Sequence, residues 1–580
     1  MTNGFALWCT AALLLAGCQS VPAPPPQAAA ETPAPTTAST AAPTATVAPP
    51  LAPISVERMS SMTRTLASDE FQGRSMGTVG EERTVAFLTE QFREAGLEPG
   101  GENNGWTQTV PMIRTKLQTP VRLSLRHAGR TRPLRLPDDI YLSTVRAVER
   151  ARIANAPMVF VGFGVDAPER QWDDFKGVDL TGKVAVFLVN DPDFEAAPGE
   201  PVAGKFGGKT MTYYGRWTYK FEEAARRGAI AALVVHETEG AGYSWNVVQS
   251  PASENFNIVL AAGARQPVLL QGWIQRSLAA DLLKRAGHNL EQVKRSARTA
   301  AFRPIDLKAT LSAEAAVDLK RLTSQNVIGK LTGSRFPNET VSYSGHWDAY
   351  GVGPPDAQGR TIRPGASDDA LGIAAMIEIA RRFASGPRTE RTLLFAAWTG
   401  EERGLLGSEW YSNNPLYPHA TMAANLTLDT LQTAGAARDV VLIGGGQSEL
   451  EEYLAQAAVA QGRTITPESH PERGLFYRAD HFALAKRGVP PLLIMALAGG
   501  NDLVDGGKAA GEKWVSDFTA NCYHQPCDAW SPDWDLTGAV QEAELLYAIG
   551  ARIANSRAWP AWKPGSEFAA ARAETAAERR

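Results

Sequence analysis

The chain is poor in cysteine, has no excess of positive charge and lacks a long apolar run, and each shortage removes a class of protein. Four cysteines in 580 residues are too few for a disulfide-stapled scaffold or a four-cysteine structural zinc site. Lysine and arginine total 58 against 62 aspartates and glutamates, so no basic field draws a polyanion, and nucleic acid is not an expected partner. The N-terminal apolar run, Phe5 to Ala16, falls short of the roughly 20 residues that span a bilayer. What remains has the balance of a soluble globular body, with 44% hydrophobic and 21% charged residues, and its length implies more than one domain.

The short run has the size of a signal-peptide core and ends in Leu15-Ala16-Gly17-Cys18. That tetrapeptide resembles the bacterial lipobox, which implies a signal peptide at residues 1–17 and a lipidated Cys18. Residues 18–53 are rich in Pro, Ala and Thr, with Glu31 as the one charge after Val21, and read as an extended, disordered tether. An exported protein is expected, lipid-anchored to a bacterial membrane at its periplasmic face or in the cell envelope, the outer membrane being the expected one. Cys9 is lost with the signal, which leaves Cys522 and Cys527 in the folded body. In an oxidising compartment these two can pair, or they stay as free buried thiols.

Residues 81–97 carry helical periodicity through Val85, Leu88, Phe92 and Ala95. From Asn326 onward, apolar runs of strand length (VIGKL, TVSYSGHWD, TLLFAAWTG, VVLIG, PLLIMAL) alternate with helical segments, one of them over 369–384. This order predicts an α/β fold with a mixed, mostly parallel sheet sandwiched by helices. MVFVGFGV, KVAVFLVN, a helix over 219–227 and IAALVVHE read as a second, smaller α/β unit. The expected domains are a discontinuous catalytic body at 54–135 and 305–560, an insertion at 136–304 and a C-terminal tail at 561–580.

In such sheets ligands gather at the C-terminal ends of the strands, and acids and histidines directly follow several apolar runs here. His346 and Asp348 follow VSYSG, Glu401 and Glu402 follow LLFAAWTG, and Asp429 follows ANLTL. Asp368 and Asp369 sit in a Gly-bounded loop that opens a helix, and Tyr523-His524-Gln525-Pro526-Cys527-Asp528 forms a loop near the end. Two histidines and several carboxylates without a thiolate make the mixed nitrogen and oxygen donor set of a catalytic zinc site.

These blocks, in this order, resemble the M28 family of co-catalytic zinc peptidases over about residues 55–135 and 305–556. The resemblance implies a phosphorylase/hydrolase-like zinc exopeptidase fold and two Zn²⁺ ions per chain, held by His346, Asp368, Glu402, Asp429 and His524, with Asp368 bridging. It implies a cis peptide after Asp368, although Thr430 stands where the family often has Met. Glu401 matches the general base that works on a hydroxide bridging the metals. Asp348, Asp369 and Asp528 would surround the ligands, Asp348 orienting His346 and Asp528 serving His524. Tyr477 stands either as an oxyanion donor or as a pocket wall. The insertion, with Trp172-Asp173-Asp174-Phe175 and Tyr214-Gly215-Arg216-Trp217, resembles the protease-associated (PA) domain. The expected activity is an aminopeptidase acting on peptides; endopeptidase and carboxypeptidase modes, a single-zinc glutaminyl cyclase and a tethered non-catalytic binding module stay open.

Three further motifs resemble functional signatures. Gly73-Arg74-Ser75-Met76-Gly77 satisfies G-x-S-x-G but lacks the apolar strand a nucleophile elbow needs. Gly444-Gly445-Gly446 lacks the Lys-Ser/Thr of a phosphate loop and reads as a turn. His481 reads as a core or supporting histidine rather than a ligand.

Overall fold

Strand alternation decides which side chains meet in the core. In the segment ending at His346, Val341 and Tyr343 enter one hydrophobic core, while Ser342 and Ser344 face the other side. In Arg391–Trp398, Leu393, Phe395 and Ala397 join that same core, and Leu394, Ala396 and Trp398 build a second one on the opposite face. Strands apolar on both faces must be covered on both faces.

The computed structural model describes residues 51–249 and 253–579. The signal peptide, Cys9, Cys18 and nearly all of the proposed tether lie outside the described residues. The principal strands in chain order are β1 (Thr107–Leu117), β2 (Arg150–Phe160), β3 (Val184–Leu188), β4 (Ala231–His236), β5 (Leu270–Gln275), β6 (Ile305–Leu331), β7 (Phe336–His346), β8 (Arg391–Trp398), β9 (Met422–Leu428) and β10 (Pro491–Ile494). The principal helices are α1 (Val56–Leu66), α2 (Val79–Glu94), α3 (Leu371–Ala384) and α4 (Thr537–Ala554). No helix among the described residues is long and apolar enough to cross a membrane.

The sheet that positions the site runs β10-β9-β7-β8-β6. Its first four strands are parallel, and β6 closes the edge antiparallel to β8. Helix α3 lies buried along nearly its whole length against this sheet. Its Glu378, fully buried, accepts hydrogen bonds from Arg58, Arg381 and the Ser55 backbone N–H, so a charged side chain inside the core has three donors. Tyr343 Oη donates to the Leu546 carbonyl of α4, fastening a second helix to the same face.

β6 belongs to two sheets. Its first half pairs with β2, from which β3, β4 and β5 continue in parallel; its second half pairs with β1 and β8. The core of the smaller unit accordingly reaches from Leu117 to Val317, wider than the 136–304 read from the sequence, because one strand carries the chain through both sheets without a linker. Residues Pro50–Arg580 form a single compact unit.

Three other sequence expectations change in detail. The VVLIG run forms a short parallel pair, Asp439–Leu442 with Thr464–Pro467, outside the main sheet. The helix expected from 369 begins at Leu371, after an irregular turn over Ala366–Ala370. The C-terminal tail is packed on the body: Trp562 and Phe568 are buried in a cluster with Phe476, Tyr477 and Phe482, and the Trp562 Nε1–H donates to the Gly488 carbonyl.

Candidate metal centre

Each strand end delivers one part of the site. His346 terminates β7, Glu401 and Glu402 open the turn after β8, and Asp429 follows β9. The turn after β8 depends on Gly400, whose φ of +66° favours glycine and where a Cβ would meet Met76 Sδ at 2.7 Å. Asp368 comes from the turn before α3, with a cis bond to Asp369, and His524 comes from the loop after residue 517 at φ +62°.

These side chains converge as two groups of three, His346 with Asp368 and Asp429, and Asp368 with Glu402 and His524; within each group the ligand atoms lie within 4.8 Å of one another. Asp368 is common to both. His346 Nε2 stands 3.1 Å from Asp368 Oδ1, and His524 Nε2 stands 3.4 Å from Asp368 Oδ2 and 3.2 Å from Glu402 Oε2. All five residues singled out as ligands in the sequence are brought together.

The surroundings correct the expected supporting roles. His346 Nδ1 contacts the backbone carbonyl of Asp348 at 3.1 Å, while the Asp348 carboxylate is 3.7 Å away, too far for a hydrogen bond. That carboxylate instead accepts the Glu401 backbone N–H at 3.0 Å, and its second oxygen is buried without a partner. Asp528 does not serve His524. It accepts the backbone N–H groups of Ser367 at 2.8 Å and Asp368 at 3.2 Å, so it holds the loop that carries the shared ligand. Asp369 accepts N–H groups from His346 and Thr430, joining the ends of β7 and β9.

Tyr477 is not part of the cluster. Its hydroxyl donates to Glu567 Oε1 at 2.8 Å, and its ring stacks on Tyr213 of the smaller unit. The oxyanion role is therefore withdrawn: the ring belongs to a buried aromatic contact between the two sheets. Cys522 and Cys527 are joined in a disulfide that brackets His524.

Arg74, within the G-x-S-x-G pattern, has a structural role that the motif does not announce. It is fully buried, and its guanidinium donates to four carbonyls, those of Leu66, Trp347, Pro364 and Gly365. It thereby fixes the residue after His346 and the turn before Asp368. No local signal marks such a residue, because its partners lie up to 291 positions away. Ser75 makes no hydrogen bond to a histidine among the described residues. Gly444 N–H donates to Glu468, so the glycine turn faces a carboxylate rather than an anion site.

The charge balance of the site calls for cations. Burial, reinforced by Asp429, Asp480 and Asp368, pushes Glu401 well above the ordinary carboxylate range; burial with Asp368 and Glu401 does the same to Glu402. Burial and Asp368 raise Asp429 to about 6. Burial disfavours charge on Asp368 too, but hydrogen bonds from His346 and His524 outweigh it and hold that carboxylate low. Burial likewise opposes a proton on His346, yet Glu401, Asp348 and Asp368 overcome it. Acids so outnumber bases here that His346 is held well above the ordinary imidazole range. Together with a histidine and carboxylate donor set without thiolate, this fits divalent zinc at both groups.

Residues 326–548 match the family model of Peptidase family M28. A stretch of 110 residues is 36% identical to a "Probable zinc metalloprotease" of Pyrenophora teres f. teres (strain 0-1), covering 19% of this chain and 23% of that protein. A stretch of 117 residues is 33% identical to the "Probable glutamate carboxypeptidase AMP1" of Arabidopsis thaliana, covering 19% of this chain and 15% of that protein. The chain thus spans less than a quarter of the length of these curated relatives. Among solved structures, an aminopeptidase from Aneurinibacillus sp. strain AM-1 is 19% identical at a TM-score of 0.45, over 88% of this chain and 95% of that one. BSAP, a zinc aminopeptidase from Bacillus subtilis, is 18% identical at 0.41, over 89% and 98%.

Proposed function

From the match of residues 326–548 to the M28 family model, we propose that this chain is a zinc-dependent aminopeptidase with two metal ions per chain. One observation carries the reading: the two groups of three ligands share Asp368, and the non-ligand Glu401 adjoins them. His346, Asp368 and Asp429 would hold one zinc, and Asp368, Glu402 and His524 the other. Bound zinc supplies Lewis acidity, polarising the scissile carbonyl and lowering the pKa of water to about 7. Glu401 takes the proton of the attacking water and returns it to the departing amine. Asp348 sets the start of the Glu401 turn through its backbone N–H, and Asp369 ties the strand ends that carry His346 and Asp429.

The aminopeptidase mode rests on the motif resemblance, with peptides as substrates. Export, lipid attachment at Cys18 and a PA-like nature for the insertion belong to the same proposal; mass spectrometry of the mature N-terminus should find an acylated Cys18, and an unmodified N-terminus would remove the anchor.

The deciding experiment is zinc analysis combined with kinetics on free and N-blocked aminoacyl substrates, for the wild type and Glu401→Gln. The expected outcome is about two zinc ions in both proteins, with kcat lowered roughly 10²- to 10⁴-fold by the substitution and no turnover of blocked substrates. Equal cleavage of blocked substrates would end the aminopeptidase reading. One zinc per chain and cyclisation of N-terminal glutamine would replace it with the single-zinc cyclase.

A further inference from the structure

Four arginines around the metal centre have no carboxylate partner among the described residues, in a chain where acids outnumber bases. Arg363 lines the same pocket as Asp368, Glu402 and His524. It comes from the short hairpin Gly351–Val352 and Ile362–Arg363, and its guanidinium packs over Gly353. Among the described residues its guanidinium makes only long polar contacts, 3.4 and 3.5 Å to the carbonyls of Pro354 and Thr361. Arg403 directly follows Glu402, and its guanidinium lies 4.7 Å over the ring of Tyr350, which in turn stands 4.4 Å from the His524 ring.

Arg478 is solvent-accessible and within electrostatic reach of Glu401, Tyr523 and Tyr350, and its guanidinium has neither a hydrogen bond nor an ion pair among the described residues. Arg216, brought in by the smaller unit, faces Arg478 and Tyr243, and its buried Nε is unsatisfied. The loop that carries it is fastened to the catalytic body by the Met211 N–H donating to the Pro471 carbonyl and by the stack of Tyr213 on Tyr477.

These cations are not needed to balance the acid cluster. Arg74 already faces Asp528, Asp348, Asp369 and Asp368 from inside the protein, and zinc would take up the ligand charges. A guanidinium at a pocket wall with free donors matches a carboxylate in a two-point fork. We propose that this rim binds a substrate carboxylate beside the scissile bond, so that the preferred substrates are short or acidic peptides, with Arg363 and Arg478 as the specificity-determining contacts. The inference rests on the peptidase reading of the same site. The carboxylate belongs either to the peptide's C-terminus or to an Asp or Glu side chain.

The test uses the zinc-loaded full chain and two matched pairs. Ala-Ala against Ala-Ala-amide isolates the C-terminal carboxylate, and Ala-Glu-amide against Ala-Gln-amide isolates the side chain. In at least one pair the carboxylate form should have a kcat/KM higher by roughly 10- to 100-fold, the usual worth of a hydrogen bond to a charged group. Arg363→Met and Arg478→Met should each shrink that ratio, and Arg→Lys should restore part of it. Ratios near one in both wild-type pairs, or variants that lose equally on both members of a pair, overturn the proposal. Calorimetric binding of the same peptides to zinc-loaded Glu401→Gln separates the two readings. If no peptide is cleaved, the peptidase reading falls while the ratio of Kd values still decides the rim; if cleavage occurs without discrimination, only the rim inference falls.

Discussion

At the scale of single residues the site shows a division of labour between the side chains of the two donor groups and the side chains that hold their loops. Asp348 spends one oxygen on the Glu401 backbone and leaves the other buried and unpaired. Replacing it by Asn should lower zinc affinity or kcat/KM by about 10- to 100-fold; metal titration with a chromophoric chelator alongside kinetics measures this, and unchanged values for both would show the contact to be idle. His481 tests a different effect. It is fully buried against the Phe476 ring, with no well-formed hydrogen bond at either nitrogen, and burial pushes its pKa down to about 3. Between pH 6.5 and 3 the unfolded chain therefore binds a proton that the folded chain refuses, so stability rises with pH across that window and is lost on acidification. From pH 7 to 5.5 the loss from this residue is about 1 kcal/mol. Urea midpoints at the two pH values should show it in the wild type but not in His481→Leu; the same pH dependence in both proteins would refute it.

At the scale of elements, the parallel strands β7, β8 and β9 explain why His346, Glu401 and Asp429 were legible in the sequence. Each of these strands is buried along its last residues and ends in, or just before, a charged or imidazole side chain, and His346, Glu401 and Asp429 stand at those ends. The loop ligand His524 was legible through its motif alone, and its mechanical support was half legible, since Cys522 and Cys527 were equally compatible with free thiols. Their bridge closes a small ring around His524, and loop entropy gives such a ring about 2 kcal/mol of stabilisation. Cys522→Ser with Cys527→Ser should lower the thermal midpoint and weaken zinc binding at the Glu402 and His524 group more than at the other. Competitive zinc titration resolves the two sites, and equal weakening of both would argue against a local effect. The roles of Asp528 and Tyr477 were misjudged for a common reason: proximity in sequence to a ligand does not say which way a side chain turns, and each found its partner elsewhere, in the Ser367–Asp368 backbone and in Glu567.

At the scale of the whole molecule, the 27-residue strand β6 carries the chain through both sheets, and the C-terminal segment locks them. Glu567 accepts hydrogen bonds from Tyr477 of the catalytic body and from the Tyr213 backbone of the smaller unit, and it approaches Arg170 at 3.4 Å. Zinc should act on this assembly as a stabilising ligand, because a site of crowded buried acids is costly without cations. Removal by a chelator is expected to lower stability by about 3 to 4 kcal/mol for a site held at 100 to 1,000 times its Kd, seen as a fall in Tm of several degrees by scanning calorimetry and reversed by added zinc. A midpoint indifferent to zinc would mean that the ligand groups are held open by the fold alone.

The sequence by itself determined the α/β class, the strand ends that bear ligands and the donor chemistry of the centre, because periodicity and residue type are local properties that survive without knowledge of contacts. Tertiary structure alone decided that the insertion shares a strand with the catalytic sheet and that Arg74 pins both ligand loops from within. It also turned Tyr477 towards Glu567 and set Arg363, from a distant hairpin, in the pocket of Asp368, Glu402 and His524. Each of these depends on groups far apart in the chain whose meeting is set by packing, and packing leaves no mark on the spacing of residues along a sequence.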